Sequence, residues 1–255
     1  MIRVAVFGAA GRMGGEVCRA VTEADDLALV ATVDPAGAGA AIAGTTAVAS
    51  AEELDASGVD VGIDFTQPDA VMANARWCLI NGVHVVIGTT GLAQGHVDEL
   101  RDLAERGDAN AIVAPNFAIG AVLMMRFAEE AARHLDAAEV IELHHDGKKD
   151  APSGTAIATA RRIAAARPGA WRPPAGDDAH PGARGADVDG VRVHGVRLPG
   201  LLAHQEVILG GPGQTLTIRH DSTDRASFMP GVLLAVRAVA SRPGLTVGLE
   251  PLLDA

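Results

Sequence analysis

The chain has 255 residues, 48% hydrophobic and 21% charged, enough apolar sequence to bury a core and too much for wholesale disorder. A net charge of -11 argues against nucleic acid as the main partner, because phosphate binding wants a basic face. Two cysteines, Cys18 and Cys78, exclude a disulfide scaffold. An N-terminal apolar run that breaks at a glycine loop excludes a signal peptide, so we expect a soluble, cytoplasmic protein.

Residues 2–7, IRVAVF, form a short apolar run ending at glycine, the pattern of a buried strand. A helix is expected over 14–23, then a strand over 27–33 that ends at Asp34 and Pro35. Further strands are expected at 59–65, 83–87 and 111–114, with helices at about 69–81 and 94–106. Strands alternating with helices imply an α/β fold, a Rossmann-like doubly wound parallel sheet. After Pro115-Asn116 the pattern changes. A long helix is expected over about 118–135, a strand over 139–145 and a helix over about 155–166. Residues 168–190 are rich in Pro, Gly and Asp and read as a long mobile loop. Strands follow at 191–198, 204–209 and 216–220, then a helix at 231–241 and a last strand at 245–249. The organisation expected is a dinucleotide-binding domain of residues 1–115 and 226–255, interrupted by an α+β domain of residues 116–225.

The first strand–helix turn reads Gly8-Ala9-Ala10-Gly11-Arg12-Met13-Gly14, a GxxGxxG pattern. Glycine there lets the backbone approach a pyrophosphate, and the helix start supplies free N–H groups. Turn glycines are common in a chain with 30 of them. Strand, glycines, helix and an acid at Asp34, on the end of the second strand, together point to a dinucleotide. Asp34 suits a ribose hydroxyl and favours NAD over a 2′-phosphate; Pro35 cannot hold that phosphate, and Arg12 is the residue that could. Gly88-Thr89-Thr90 and Ala114-Pro115-Asn116-Phe117 follow strand ends on the same crevice and suit ribose or nicotinamide.

The densest chemistry runs from Glu142 through His144, His145, Lys148 and Lys149 to Ser153, Gly154 and Thr155. Both lysines of the chain fall here, among nineteen arginines elsewhere, and there is no tyrosine. A lysine ammonium can be tuned to give up its proton, whereas an arginine cannot. Ser153 is placed as a helix N-cap, leaving the N–H groups of Gly154 and Thr155 to bind a carboxylate. The blander reading is a solvated lysine pair beside two structural histidines, which as successive strand residues point to opposite faces. No set of Cys and His ligands completes a metal site, so none is expected.

These segments carry a resemblance. GAAGRMG at 8–14, DFT at 64–66, GTTG at 88–91, APNFAIG at 114–120, ELHHDGKKDAPSGTA at 142–156 and HQEV at 204–207 resemble the dihydrodipicolinate reductase family, in its actinobacterial branch. They occur in order and span most of the chain, and the HHxxKxDAPSGTA segment is the most specific. The resemblance implies reduction of 4-hydroxy-tetrahydrodipicolinate by NADH or NADPH, with loss of water, in lysine and diaminopimelate biosynthesis. It implies that His144 is an acid/base residue and Lys148 a proton donor. His145, Gly154 and Thr155 would bind the dicarboxylate substrate. The cofactor would lie on Gly8 to Met13, Asp34, Gly88 to Thr90 and Ala114 to Phe117, and the protein would be a homotetramer paired through the second domain's sheets. The chain departs from the family at Asp146-Gly147 and at Pro35.

Two other classes compete. A nicotinamide-binding redox sensor would bind cofactor without turnover. A homoserine or semialdehyde dehydrogenase would share the two-domain plan, but the thioester-forming kind needs a nucleophilic cysteine, which neither Cys18 nor Cys78 is placed to be.

Overall fold

The computed structural model describes residues 1–167, 171 and 178–254. In chain order the strands and α-helices begin with β1 (Ile2–Phe7), α1 (Arg12–Glu23), β2 (Leu27–Val33), β3 (Ala41–Ile42), β4 (Thr45–Thr46) and β5 (Val61–Asp64). Next come α2 (Val71–Ile80), β6 (His84–Ile87), α3 (Gln94–Arg106), β7 (Ala111–Val113), α4 (Ile119–Ala132), β8 (Ala137–His144) and α5 (Gly154–Ala166). The chain closes with β9 (Ala186–Val188), β10 (Val191–Arg197), β11 (Ala203–Gly211), β12 (Gln214–Ser222), α6 (Met229–Ala238), β13 (Leu245–Val247) and α7 (Glu250–Leu253). The chain divides into two units, Met1–Phe117 with Phe228–Ala255, and Ala118–Ser227.

The first unit is built on a six-stranded sheet in the order β13-β7-β6-β5-β1-β2, parallel throughout. Parallel strands are covered on both faces and read as continuous apolar runs. Val4, Val6, Ile63, Val85, Val86, Ile87 and Ile112 are accordingly all fully buried. The strand order reverses between β1, whose successor β2 lies on one side, and β5, which lies on the other. The carboxyl ends of β1, β2, β5 and β6 therefore gather around that switch point, where α/β sheets bind ligands.

The second unit carries a five-stranded mixed sheet, β12-β11-β8-β10-β9, in which β8 and β10 run parallel and the other pairs antiparallel. Alternation places Ala138, Val140 and Glu142 of β8 on the buried face, against which α5 packs, while Glu139, Ile141 and Leu143 lie on the other.

Differences from the expected elements have local causes. β8 ends at His144, so His145 stands beyond the strand. The proposed loop 168–190 contains β9, and residues 168–170 and 172–177 lie outside the described residues. β9 joins β10 through Asp189 and Gly190, whose φ angles of 52° and 89° are those of a type I′ hairpin turn. The Asp-Gly pair was a legible hairpin signal, masked by the Pro/Gly-rich composition around it.

Candidate active site

In the first unit the turn after β1 is closed by two glycines, Gly8 and Gly14, beside which the backbone leaves no room for a Cβ. Gly8 has φ +79°, and a Cβ there would sit 2.6 Å from the Phe65 carbonyl oxygen. A Cβ on Gly14, in the first turns of α1, would lie 2.0 Å from the Gly8 oxygen. The turn therefore presses α1 against β1 and leaves its start bare: the N-cap is Gly11, with no capping side chain and no acid in the first turn. Such a start presents N–H groups and partial positive charge to an anion.

Asp34 lies at the end of β2 and is 9% exposed. One carboxylate oxygen accepts the N–H groups of Ala36 and Gly37 at 2.9 and 3.2 Å; the other accepts that of Ala10 at 3.0 Å. It thus fastens the glycine turn to the loop after β2. Gly8, Gly11 and Asp34 share a cavity of about 550 Å³ with Phe65, Thr66 and Asn74. That volume is in the range of small-molecule sites. The bare helix start, the cradle a Cβ would fill and the acid on the cavity wall fit a dinucleotide. Of the remaining predicted cofactor residues, Ala9 is buried, Ala10 and Arg12 are exposed and Met13 is half-buried, and these line the turn rather than the cavity.

The GTTG segment follows β6 and is organised by a residue to which the sequence reading gave no role. Asp64, fully buried at the end of β5, accepts the Thr89 hydroxyl at 2.6 Å, the Thr66 hydroxyl at 2.7 Å, the Thr66 N–H at 3.0 Å and the Asn74 amide at 2.8 Å. Its carbonyl accepts the Gly88 N–H at 2.8 Å. The Thr89 hydroxyl hydrogen is therefore committed to Asp64. Gly88 leaves room for the Phe65 ring, which a Cβ would meet at 2.2 Å. Ala114 donates to the Ile87 carbonyl at 3.1 Å, placing the APNF loop beside GTTG, and Phe117 packs its ring 5.7 Å from that of Phe65. Thr90 is exposed beside Thr89.

In the second unit His144 closes β8 with its Nδ1 2.5 Å from Glu142 Oε2. Residues i and i+2 of a strand share a face, so this pairing follows from the strand itself. Glu142, fully buried, also receives both terminal nitrogens of Arg197 at 2.8 Å and the Ser153 N–H at 3.1 Å. Burial alone would push its carboxyl up, but the Arg197 and His144 hydrogen bonds overcome that and hold it below the usual carboxylate range. His144 is pushed down, by burial first and then by the Lys148 and Arg197 charges, against the upward pull of Glu142. The imidazole is thus kept neutral near pH 7.

Lys148 Nζ donates to both oxygens of Asp150 at 2.8 and 2.9 Å, and its N–H donates to the His145 carbonyl at 3.2 Å. His145 is half-buried outside β8. Ser153 caps α5, its hydroxyl accepting from the Ala156 N–H at 3.2 Å, and no acid occupies the first turn. Gly154 is exposed, with open space where a Cβ would point. The structure thus brings His144 and the start of α5 together through Glu142, with Lys148 on the intervening loop. Arg197, which also donates to the Asp150 carbonyl at 2.5 Å, was not foreseen. It lies 55 residues from Glu142, and only the β8–β10 register joins them.

Among the described residues, no cluster of His, Cys, Asp or Glu could hold a metal ion and no helix is long and apolar enough to cross a membrane.

Comparison with known proteins decides between the classes. Residues 2–117 match the family described as dihydrodipicolinate reductase, N-terminus, and residues 120–253 the one described as dihydrodipicolinate reductase, C-terminus. The chain belongs to the dihydrodipicolinate reductase family. It is 56% identical to the 4-hydroxy-tetrahydrodipicolinate reductase of Cutibacterium acnes and 55% identical to that of Nocardia farcinica, in each case over 99% of both chains. A solved dihydrodipicolinate reductase from Paenisporosarcina sp. TG-14, bound to dipicolinate, is 42% identical with a TM-score of 0.87, covering 98% of this chain and 99% of that one. A probable dehydrogenase from Thermotoga maritima, 13% identical with a TM-score of 0.65, shares the fold alone. As a dihydrodipicolinate reductase family member the chain is an NAD(P)H-dependent oxidoreductase with a Rossmann-like cofactor domain.

Proposed function

We propose that this chain reduces 4-hydroxy-tetrahydrodipicolinate to tetrahydrodipicolinate in lysine and diaminopimelate biosynthesis, and that it does so with the residues the sequence singled out. The observation that carries the residue roles is the pairing of a neutral His144 with the start of α5, capped by Ser153 and free of acids in its first turn, both held by Glu142 in one unit. The nicotinamide, when bound, supplies hydride. Gly8 to Met13 and the start of α1 hold its pyrophosphate, Asp34 a ribose, and the Gly88–Thr90 and Ala114–Phe117 loops its nicotinamide end.

The substrate carries two carboxylates. The N–H groups at Gly154 and Thr155 take one, with His145 and the Lys148 ammonium adding polar contacts. Pyridine-2,6-dicarboxylate, the ligand of the Paenisporosarcina relative, is accordingly expected to compete with substrate. The substrate hydroxyl leaves as water, which forms a ring double bond; hydride arriving at one carbon of that bond leaves negative charge on its neighbour, and that carbon must be protonated. His144, with Nδ1 occupied by Glu142, has Nε2 left for proton exchange with substrate, while the Lys148 ammonium is the donor. The protein works as a homotetramer in the cytoplasm, with no nucleic-acid or membrane partner.

The test follows NADH and NADPH oxidation with substrate made in situ from pyruvate and aspartate semialdehyde by its synthase. Wild type is expected to turn over with both cofactors. Lys148→Ala is expected to lose at least about 10²-fold in kcat, the usual scale for a general acid, with NADH binding intact. Cofactor binding without wild-type turnover would instead favour the redox sensor.

A further inference from the structure

We propose that Glu142 is a positioning residue for the reduction, fixing the His144 ring in the tautomer that carries its proton on Nδ1 and presents a bare Nε2. The proposal rests on the reading of His144 as the acid/base residue and extends it to a residue with no assigned role.

The argument starts from donors and acceptors. Glu142 is fully buried, and its two oxygens receive Arg197 in a two-pronged pair, the Ser153 N–H and His144 Nδ1. A carboxylate paired this way with a guanidinium stays ionised, and an ionised carboxylate only accepts. The hydrogen in the 2.5 Å contact therefore belongs to His144 Nδ1. A neutral imidazole has one N–H, so Nε2 is left with its lone pair. Glu142 thereby sets not only where the ring points but which of its nitrogens accepts a proton.

The surrounding chain is arranged to keep this carboxylate in place. Gly195 is its neighbour across the β8–β10 pairing, and a Cβ there would press to 3.0 Å from Oε1. Arg197 is tied in turn to the Asp150 carbonyl, and Ser153 is the cap of α5. One buried charge thus joins the imidazole, the loop bearing Lys148 and the anion-binding helix start. A purely structural role would be served as well by apolar packing, since burying an ion pair seldom stabilises a fold more than hydrophobic residues of similar volume.

The charged groups facing His144 are Glu142, Lys148 and Arg197, and only Glu142 favours its protonated form. Replacing the carboxylate by a neutral amide leaves burial and two cations, all acting in the same direction. Activity that needs neutral His144 falls as pH drops through the titration of the ring. In Glu142→Gln this acid limb is expected to move to lower pH, by about one unit. The amide can also offer an N–H to Nδ1, which moves the ring proton to Nε2. We expect kcat to fall by at least about 10²-fold, the lower end of what a positioned acid or base contributes. Substrate KM should change less than about threefold, because Ser153 still caps α5 through its hydroxyl. Glu142→Asp, which keeps the charge, is expected to recover part of kcat and the wild-type acid limb.

The spectroscopic readout is the 15N spectrum of histidine-labelled protein, with the His144 signals identified by their loss in His144→Phe. Wild type should show Nδ1 protonated and Nε2 bare, and Glu142→Gln a mixed or reversed pattern. A Glu142→Gln protein that loses thermal stability but keeps kcat, the acid limb and the wild-type 15N pattern would overturn the proposal. Should that variant fail to fold, wild type decides alone: a ring protonated on Nε2 and bare on Nδ1 is incompatible with it. The 15N readout needs no turnover, so absence of reductase activity would count against the functional reading and leave this test intact.

Discussion

Asp34 illustrates how much of a single residue's work its position in the sequence leaves unsaid. Its place at the end of β2 marks it from the sequence as a ribose ligand. In the structure it also accepts three backbone N–H groups, from Ala10, Ala36 and Gly37, so it shapes the turn it faces. A fixed carboxylate on the cavity wall opposes a 2′-phosphate, and its removal should narrow the gap between the two cofactors. Asp34→Asn is expected to weaken NADH binding and to raise the affinity for NADPH relative to NADH about tenfold, or ~1.4 kcal/mol. Fluorescence titration of both cofactors measures it, and an unchanged ratio would remove Asp34 from cofactor selection. Glu142 and Arg197 show the opposite case. Glu142 shares a strand face with His144 and was open to detection by the two-residue spacing. Arg197 was not, because a contact across 55 residues depends on strand register, which one sequence does not display.

At the scale of elements, the six strands of the parallel sheet were legible because each is a short apolar run closed by a turn residue. The two-residue strands β3 and β4 were not, since two residues carry no periodicity. Nor was the way the strand ends are tied together. The fully buried Asp64 joins β5, α2 and the loop after β6 through Thr66, Asn74 and Thr89. Its removal strands four donors, on Thr66, Asn74 and Thr89, and a buried polar group without a partner costs more than the net value of its bond. Asp64→Ala is expected to lower stability by about 3 kcal/mol, and Thr89→Val, which removes one donor only, by about 1 kcal/mol. Both should weaken NADH binding, because the GTTG loop loses its anchor. Urea denaturation and cofactor titration give the two numbers. Wild-type values for Thr89→Val would mean that the bond to Asp64 contributes nothing to the loop.

For the whole molecule, the proposed tetramer can be argued from the open face of the second unit's sheet. Strand alternation puts Ile141 and Leu143 of β8, Val196 of β10 and Ile208 of β11 on the face opposite the buried row, and all four are only partly covered. Around them run a hydrogen bond between Glu139 and His194 at 2.9 Å and an ion pair between Glu206 and Arg219 at 2.9 Å. Apolar residues bordered by paired polar and charged groups are the composition of an interface with a hydrophobic centre and a polar rim. In a two-fold contact the same patch meets itself, so one substitution acts on both sides at once. Wild type is expected to sediment at four times the 26.0 kDa chain mass. Ile208→Glu, by burying two unpaired carboxylates in each such contact, should shift it to smaller species. NADH binding should survive in that variant, because the cavity beside Gly8 and Asp34 is lined wholly by the other unit. A wild-type monomer, or a tetramer untouched by Ile208→Glu, would take this face out of the assembly.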